Sequence, residues 1–269
     1  MVAAHQWPGA RKRMKRTKSL NYYGFTHTGL KREKNEDAYI IHDGAPDDAA
    51  PGAQWWVFAV ADGIGGHSCG DQASALACRK LKALFAGPIS GSEVKRYVKQ
   101  LENRVHEIDR CIRDAASKEP QCEDMGTTLS AMLVVADVGI TAHVGDSRIY
   151  RLREGRLSQL TSDHTFVQEM IDEGDLTPAA AAKHPLRNML TRSVGTQMPL
   201  EQVETRVLDL AVGDRFLISS DGLHKMVPAD EIAETLKNIG DPRQAADRLL
   251  RAALENGGRD NITGIIIRI

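Results

Sequence analysis

The sequence predicts an antiparallel, layered α+β domain. Three observations predict it. Short apolar strand segments come in runs joined by turn dipeptides. The amphipathic stretches fall together, after one group of strands and again near the end, rather than between successive strands. Strict βαβ alternation is missing, which argues against a doubly wound parallel sheet.

The elements follow in order. Asn21–His27, Ala38–Asp43 and Trp55–Ala61 read as strands; the last is an apolar run ending in Asp-Gly, which predicts a buried strand opening into a loop. His67–Phe85 carries Ala73, Leu76, Ala77, Leu81 and Leu84 at helical spacing, and Ser92–Ala116 repeats the pattern with Val94, Val98, Leu101, Val105, Ile108 and Ile112. Gly87-Pro88 separates these two helices. A strand cluster follows at Thr128–Ala136, Ile140–Val144, Ser147–Arg153 and Arg156–Leu160, with hairpin chemistry at Asp137-Val138-Gly139 and Glu154-Gly155. Residues 163–200 are polar, Ala-rich and broken by Pro178, Pro185 and Pro199, so short helices and loops are expected there. Strands resume at Val203–Leu208 and Arg215–Ser219, helices follow at Pro228–Leu236 and Pro242–Leu254, and the apolar Ile262–Ile269 closes the chain as a buried strand.

Composition sets the class. With 269 residues, 35 Lys+Arg against 36 Asp+Glu and a net charge of −1, the chain lacks the positive excess of a phosphate-backbone binder, so no nucleic-acid partner is expected. A hydrophobic share of 42% is enough for a sizeable core. No stretch approaches the length of a membrane span. Residues 1–19, with Arg11, Lys12, Arg13, Lys15, Arg16 and Lys18, read as a basic flexible arm; residues 20–269 read as a single domain, with no linker or repeat. Cys69, Cys78, Cys111 and Cys122 show neither C-x-x-C pairing nor zinc spacing, so four reduced thiols are expected, and no apolar leader follows the basic residues, so the cytoplasm is the expected compartment.

The chemistry is carried by acidic residues. Asp37, Asp62, Asp221 and Asp260 end or adjoin apolar strands and lie next to Gly or Asn. A carboxylate so placed can converge with others on a hard cation such as Mg²⁺ or Mn²⁺. One Asp-Gly is an ordinary turn; four strand-terminal carboxylates make a pattern.

Six blocks occur in a fixed order: Arg32-Glu33-Lys34-Asn35-Glu36-Asp37, Val60-Ala61-Asp62-Gly63-Ile64-Gly65-Gly66-His67, Met125-Gly126-Thr127-Thr128, Val144-Gly145-Asp146-Ser147-Arg148, Ser220-Asp221-Gly222-Leu223 and Asp260-Asn261-Ile262-Thr263. Over residues 20–269 the chain resembles the metal-dependent protein phosphatases, the type 2C serine/threonine phosphatases, in their compact bacterial form. The resemblance implies a four-layer α-β-β-α sandwich, two antiparallel sheets flanked by helices, with the site at one edge. It implies a flap at about 163–200, bounded by Asp163-His164 and by Pro185 to Arg192.

The resemblance also implies roles. Asp62 bridges two Mn²⁺ or Mg²⁺ ions and the Gly63 carbonyl binds one of them; Asp221 and Asp260 complete one ion's shell, and Asp37 serves the other, largely through water. Glu36 orients water, Arg32 takes the phosphoryl group, Asn261 braces the Asp260 loop, and Asp124 is a candidate ligand for a third ion. The implied reaction is hydrolysis of phosphoserine and phosphothreonine in proteins by in-line attack of a metal-bridging hydroxide. The implied partners are phosphoprotein substrates and a cognate Ser/Thr kinase, and the chain is expected to act as a monomer.

Arginine suits that role because its planar fork matches two phosphoryl oxygens. None of the cysteines is followed by Arg six positions on, so the cysteine loop of tyrosine phosphatases is not met. One departure stands out: Ile64 follows Asp62-Gly63 where many eukaryotic members have a proton-donating His, and Ile cannot give up a proton; His67 is a weaker candidate donor. Asp146-Ser147-Arg148 reads as a structural turn. The rival functions are a phosphoprotein-binding module without turnover and a phosphatase of small phosphomonoesters. A module that had lost turnover would be expected to lack a ligand, yet all four aspartates and Arg32 are present.

Overall fold

Alternate residues of one apolar run fix the architecture. Along β3 (Trp55–Ile64), Trp55, Val57, Ala59 and Ala61 pack into one core, while Trp56, Phe58 and Val60 pack into another. A strand buried on both faces must lie between two layers, so its sequence is continuously apolar rather than alternating. The computed structural model describes residues 20–44, 54–64, 69–84 and 94–269. The basic arm, Gly65 to His67 and the Gly87-Pro88 break lie outside the described residues.

Two sheets form. One is six-stranded, ordered β2 (Asp37–Gly44), β3, β5 (Leu129–Val135), β6 (Val138–Val144) and β9 (Glu204–Asp209), with β4 (Gly126–Thr127) pairing the far end of β3. The other is ordered β1 (Asn21–His27), β11 (Ile262–Arg268), β10 (Arg215–Ser219), β7 (Arg148–Arg153) and β8 (Arg156–Gln159). Every described strand pair is antiparallel. Phe58 and Met132 of the first sheet meet Phe216, Ile218 and Ile265 of the second, forming the layer between them.

Helices cover the outer faces, and the one-turn α5 (Asp221–His224) follows β10. α1 (Gly70–Leu84) and α2 (Val94–Ala116) bring Ala73, Leu81, Leu101 and Ile108 onto Val57 and Ala59. α6 (Ala229–Asn238) and α7 (Pro242–Glu255) bring Ile232, Leu236 and Leu249 onto Leu217 and Ile266. α7 starts where it does because Asp241 caps it, accepting from the Arg243 and Gln244 N–H groups, with Pro242 preset for the first turn. The result is the expected four-layer α-β-β-α sandwich. Among the described residues no helix is long and apolar enough to cross a membrane.

Between β8 and β9, the segment holds α3 (Phe166–Glu173), capped by Thr165 and ended by Gly174 at φ 86°, and the short α4 (Pro178–Ala181), capped by Thr177. Its two roots are tied down. At one, Arg148 forks onto Asp163 through Nε and Nη2 at 2.8 and 2.6 Å. At the other, the buried Asp109 of α2 accepts from the Gly195 N–H at 2.8 Å and forms an ion pair with Arg113.

Three expectations are corrected. β3 does not open into a loop at Asp62-Gly63 but continues to Ile64, because Gly63 and Ile64 pair with Thr127 and Gly126. The strand expected over Thr128–Ala136 is β5, Leu129–Val135, and an unexpected two-residue strand, β4, precedes it at Gly126–Thr127. The cysteines are not four thiols: Cys69 and Cys122 form a disulfide, leaving Cys78 and Cys111 free. The start of α1 and the 3₁₀ turn Pro120–Cys122 abut, bringing the two Cα atoms to 5.4 Å, within bridging range.

Candidate metal centre

Sheet register brings the first two carboxylates together. Asp37 opens β2, Asp62 lies near the end of β3, and they are direct partners across the antiparallel ladder. Adjacent partners in such a ladder lie within about 5.5 Å, with side chains on the same face. From the second sheet, Asp221 follows the end of β10 and Asp260 precedes the start of β11; these strand ends adjoin because Ser219 pairs with Gly264. The two pairs are then joined across the sandwich. Ser220 Oγ donates to Asp37 Oδ2 at 2.7 Å and takes a hydrogen bond from the Thr263 N–H.

The backbone around Asp62 is held at three points. Its N–H donates to Thr128 Oγ1, and its carbonyl accepts from the Thr128 N–H and Thr127 Oγ1. Gly63 donates to the Glu36 carbonyl, and a Cβ there would overlap the Gly70 carbonyl, so only glycine fits. Gly222 is required likewise, because a Cβ would meet the Asn261 carbonyl. Asn261 braces its loop: Oδ1 accepts from the Glu36 N–H, and Nδ2 donates to the Thr28 and Lys34 carbonyls at 2.8 and 2.9 Å.

The electrostatics are those of crowded, desolvated acid groups. Burial pushes the Asp37 carboxyl up to about 7, with Asp221 and Asp260 adding to the rise and hydrogen bonds from Ser220 and Thr263 opposing it. Burial likewise drives Asp62 well above the usual carboxylate range, reinforced by Asp37, Asp221, Asp146 and Asp260. Glu36 is raised by burial against the pull of Arg32. Such crowding is costly unless protons or cations relieve it. An all-oxygen donor set, desolvated and mutually repelling, fits divalent cations of the Mg²⁺ or Mn²⁺ type.

Arg32 stands at the edge of the cluster, its Nη2 donating to Asp260 Oδ2 at 2.8 Å; that hydrogen bond holds its guanidinium more firmly charged. Asp124 accepts from Gln197 Nε2 at 2.9 Å and lies two residues before Gly126, the partner of Ile64.

Sequence reasoning passed over two residues. Asp146, read as part of a structural turn, is buried, and its carboxyl is pushed up to about 6 by burial and by Asp221, against the pull of Lys225. Lys225 donates to Asp221 Oδ2 at 2.7 Å, Asp146 Oδ2 at 3.0 Å and Asn188 Oδ1 at 3.1 Å. Burial alone would lower this ammonium's pKa, but Asp221 and Asp146 outweigh it and raise it. The rest of the turn is structural: Ser147 Oγ bonds Thr128 Oγ1, and Arg148 holds Asp163. The four-residue interval from Asp221 to Lys225 across one helical turn was the available signal.

A second polar group, His143, His164 and Glu204, could also hold an ion by spacing alone. Most of its ligand atoms are occupied, however. His143 bonds Ser130 Oγ and the Ser162 carbonyl, and His164 Nδ1 accepts from the Gly145 N–H. It reads as a structural hydrogen-bond network.

Residues 37–256 match the family model "Protein phosphatase 2C". The chain is 36% identical over 247 residues to the serine/threonine protein phosphatase PstP of Mycobacterium tuberculosis, covering 92% of this chain and 44% of the relative, so it spans less than half of that protein's length. It is 36% identical over 242 residues to the serine/threonine phosphatase stp of Listeria monocytogenes, covering 90% of this chain and 93% of the relative. Among solved structures, the catalytic domain of serine threonine protein phosphatase PstP in complex with two manganese ions superposes with a TM-score of 0.78 at 34% identity, covering 93% of this chain and 97% of that one.

Proposed function

The chain belongs to the protein phosphatase 2C family, and from that premise we propose that it is a metal-dependent serine/threonine phosphatase that hydrolyses phosphoserine and phosphothreonine in proteins. The observation that carries the reading is the joining of the two sheets' acidic ends: Asp37 opposite Asp62, and Ser220, next to Asp221, bonded to Asp37.

In this reading Asp37, Asp62, Asp221, Asp260 and the Gly63 carbonyl hold two Mn²⁺ or Mg²⁺ ions, and Asp124 serves a third. Bound there, the ions supply Lewis-acid polarisation and an ionised water at neutral pH. Arg32 grips two phosphoryl oxygens and offsets the charge that develops on them. Glu36 accepts a hydrogen bond from the attacking water and aims it in line with the leaving oxygen. Asn261 keeps Glu36 and Asp260 in register by accepting from the Glu36 N–H and donating to the Thr28 and Lys34 carbonyls. Ile64 offers no proton to the leaving alkoxide.

The PstP catalytic domain, with its two manganese ions, supports the choice of metal. The presence of the whole aspartate set and of Arg32 favours turnover over a binding module. The family's bacterial serine/threonine phosphatases support a protein substrate over a small phosphomonoester. We place the enzyme in the cytoplasm, as a monomer opposing a Ser/Thr kinase.

Calorimetric titration of chelator-stripped protein with Mn²⁺ tests the assignment of ligands. Two ions per chain are expected in the tight sites, and Asp62→Asn should lose high-affinity uptake while its metal-free melting temperature stays at or above that of the wild type, since a buried charge has gone. Normal Mn²⁺ uptake by Asp62→Asn would remove its role as a ligand.

A further inference from the structure

Lys225 stands where three oxygens from three parts of the chain converge. Its main-chain N–H donates to the Asp221 carbonyl at 2.9 Å, fixing it one helical turn past that carboxylate. Its ammonium then reaches Asp221 Oδ2, Asp146 Oδ2 and Asn188 Oδ1 at 2.7, 3.0 and 3.1 Å. A primary ammonium has three protons, and each finds one acceptor. Asp146 comes from the turn before β7, Asp221 from the end of β10, and Asn188 from the middle of the segment between β8 and β9.

Apart from this bond, that middle is held mainly to itself and to its own root. Its roots are fixed by Arg148–Asp163 and by Asp109–Gly195. Between them Leu186 and Met189 are 45% and 52% exposed, so burial contributes little to seating the segment. Its main-chain bonds are two turn bonds, Arg187 N–H to the His184 carbonyl and Met189 N–H to the Leu186 carbonyl, and two that tie it back to its own root, Phe166 N–H to the Met189 carbonyl and Thr191 N–H to the His164 carbonyl. A charge-assisted tether from Lys225 to Asn188 is strong relative to these neutral turn bonds.

We propose that Lys225 is a positioning residue that couples the flap to the metal centre: one ammonium orients Asp221 and Asp146 and latches Asn188 over them. The inference rests on the reading of Asp221 as a metal ligand. Two consequences follow. The latch seats the flap even without metal, because its partners are all from the protein. The fixed positive charge also competes with a divalent ion for Asp221, so it holds metal affinity below what the carboxylates alone would give.

Hydrogen exchange and Mn²⁺ calorimetry on the full chain test this. Lys225→Met keeps length and loses charge. In metal-free protein it should speed exchange of the Arg187 and Met189 amides by about tenfold, and it should tighten Mn²⁺ binding about fivefold. Asn188→Ala should speed the same amides with no change in Mn²⁺ affinity, and the double variant should exchange no faster than Lys225→Met alone. Unchanged amide exchange in either single variant, or Mn²⁺ affinity in Lys225→Met that is unchanged or weaker, overturns the coupling. Asn188 is exposed, so its variant carries the exchange test even if Lys225→Met does not fold. The exchange arm uses metal-free protein and judges the latch independently; wild-type protein that takes up no Mn²⁺ would instead remove the metal assignment.

Discussion

Asp62 shows how a single position is determined from both sides: its backbone is held by Thr127 and Thr128, the next residue can only be glycine, and its carboxylate faces Asp37 across the ladder. His143 is determined by similar constraints with opposite electrostatics. It is fully enclosed, its ring bonded to Ser130 and Ser162, and burial pulls its pKa down to about 4 from 6.5. In the unfolded chain it titrates near its ordinary value. Between pH 6.5 and 4 the unfolded chain therefore binds more protons at this site than the folded one, so stability falls as pH falls through that window. Denaturant melts between pH 7 and pH 4 should show a loss of roughly 3 kcal/mol from this residue, discounted by other groups, and His143→Gln should flatten the slope. A slope unchanged by His143→Gln would show that the residue does not titrate as its burial demands. At this scale the sequence made Asp37, Asp62, Asp221 and Asp260 legible as candidates, because strand-end carboxylates near Gly or Asn are a local signal, whereas Arg32 came from the resemblance alone. Asp146 and Lys225 were not legible as partners, because they are 79 residues apart and meet only through the fold.

Elements were readable where periodicity spoke and misread where a neighbour overrode it. The continuous apolar run of β3 and the helical apolar spacing of α1 and α2 are read directly from the sequence. The extension of β3 through Asp62-Gly63 did not, since Asp-Gly alone signals a turn and only pairing with β4 keeps it extended. The bridge between Cys69 and Cys122 was hidden for the same reason: nothing at a sequence separation of 53 reveals that the start of α1 abuts the turn before β4. That bridge closes a long loop, so removing it should cost about 4 kcal/mol in a chain-entropy account. Thiol titration of denatured, unreduced protein should find two thiols, Cys78 and Cys111, and Cys122→Ser should lower the unfolding midpoint accordingly. Four titratable thiols, or an unshifted midpoint, would mean that the bridge does not form in solution.

At the scale of the whole molecule, the sandwich exists to bring distant chain ends together. Phe58, Phe216 and Ile265 glue the sheets face to face, and that packing sets the ends of β2 and β3 beside those of β10 and β11. The layered α+β class was legible from the order of elements. The meeting of the two acidic edges was implied by resemblance alone, because no local pattern states which sheet ends will adjoin. The ordered blocks and the cross-sheet bond from Ser220 to Asp37 belong to one account, in which the core is the device that assembles the site. Its most direct test is phosphate release from a phosphoserine peptide by chelator-stripped protein as Mn²⁺ is added back. The account predicts no turnover without metal, recovery that saturates with Mn²⁺, and a loss of at least about a thousandfold in Asp62→Asn. Hydrolysis indifferent to Mn²⁺, or none at any concentration of it, would contradict the claim that these carboxylates form a working metal centre.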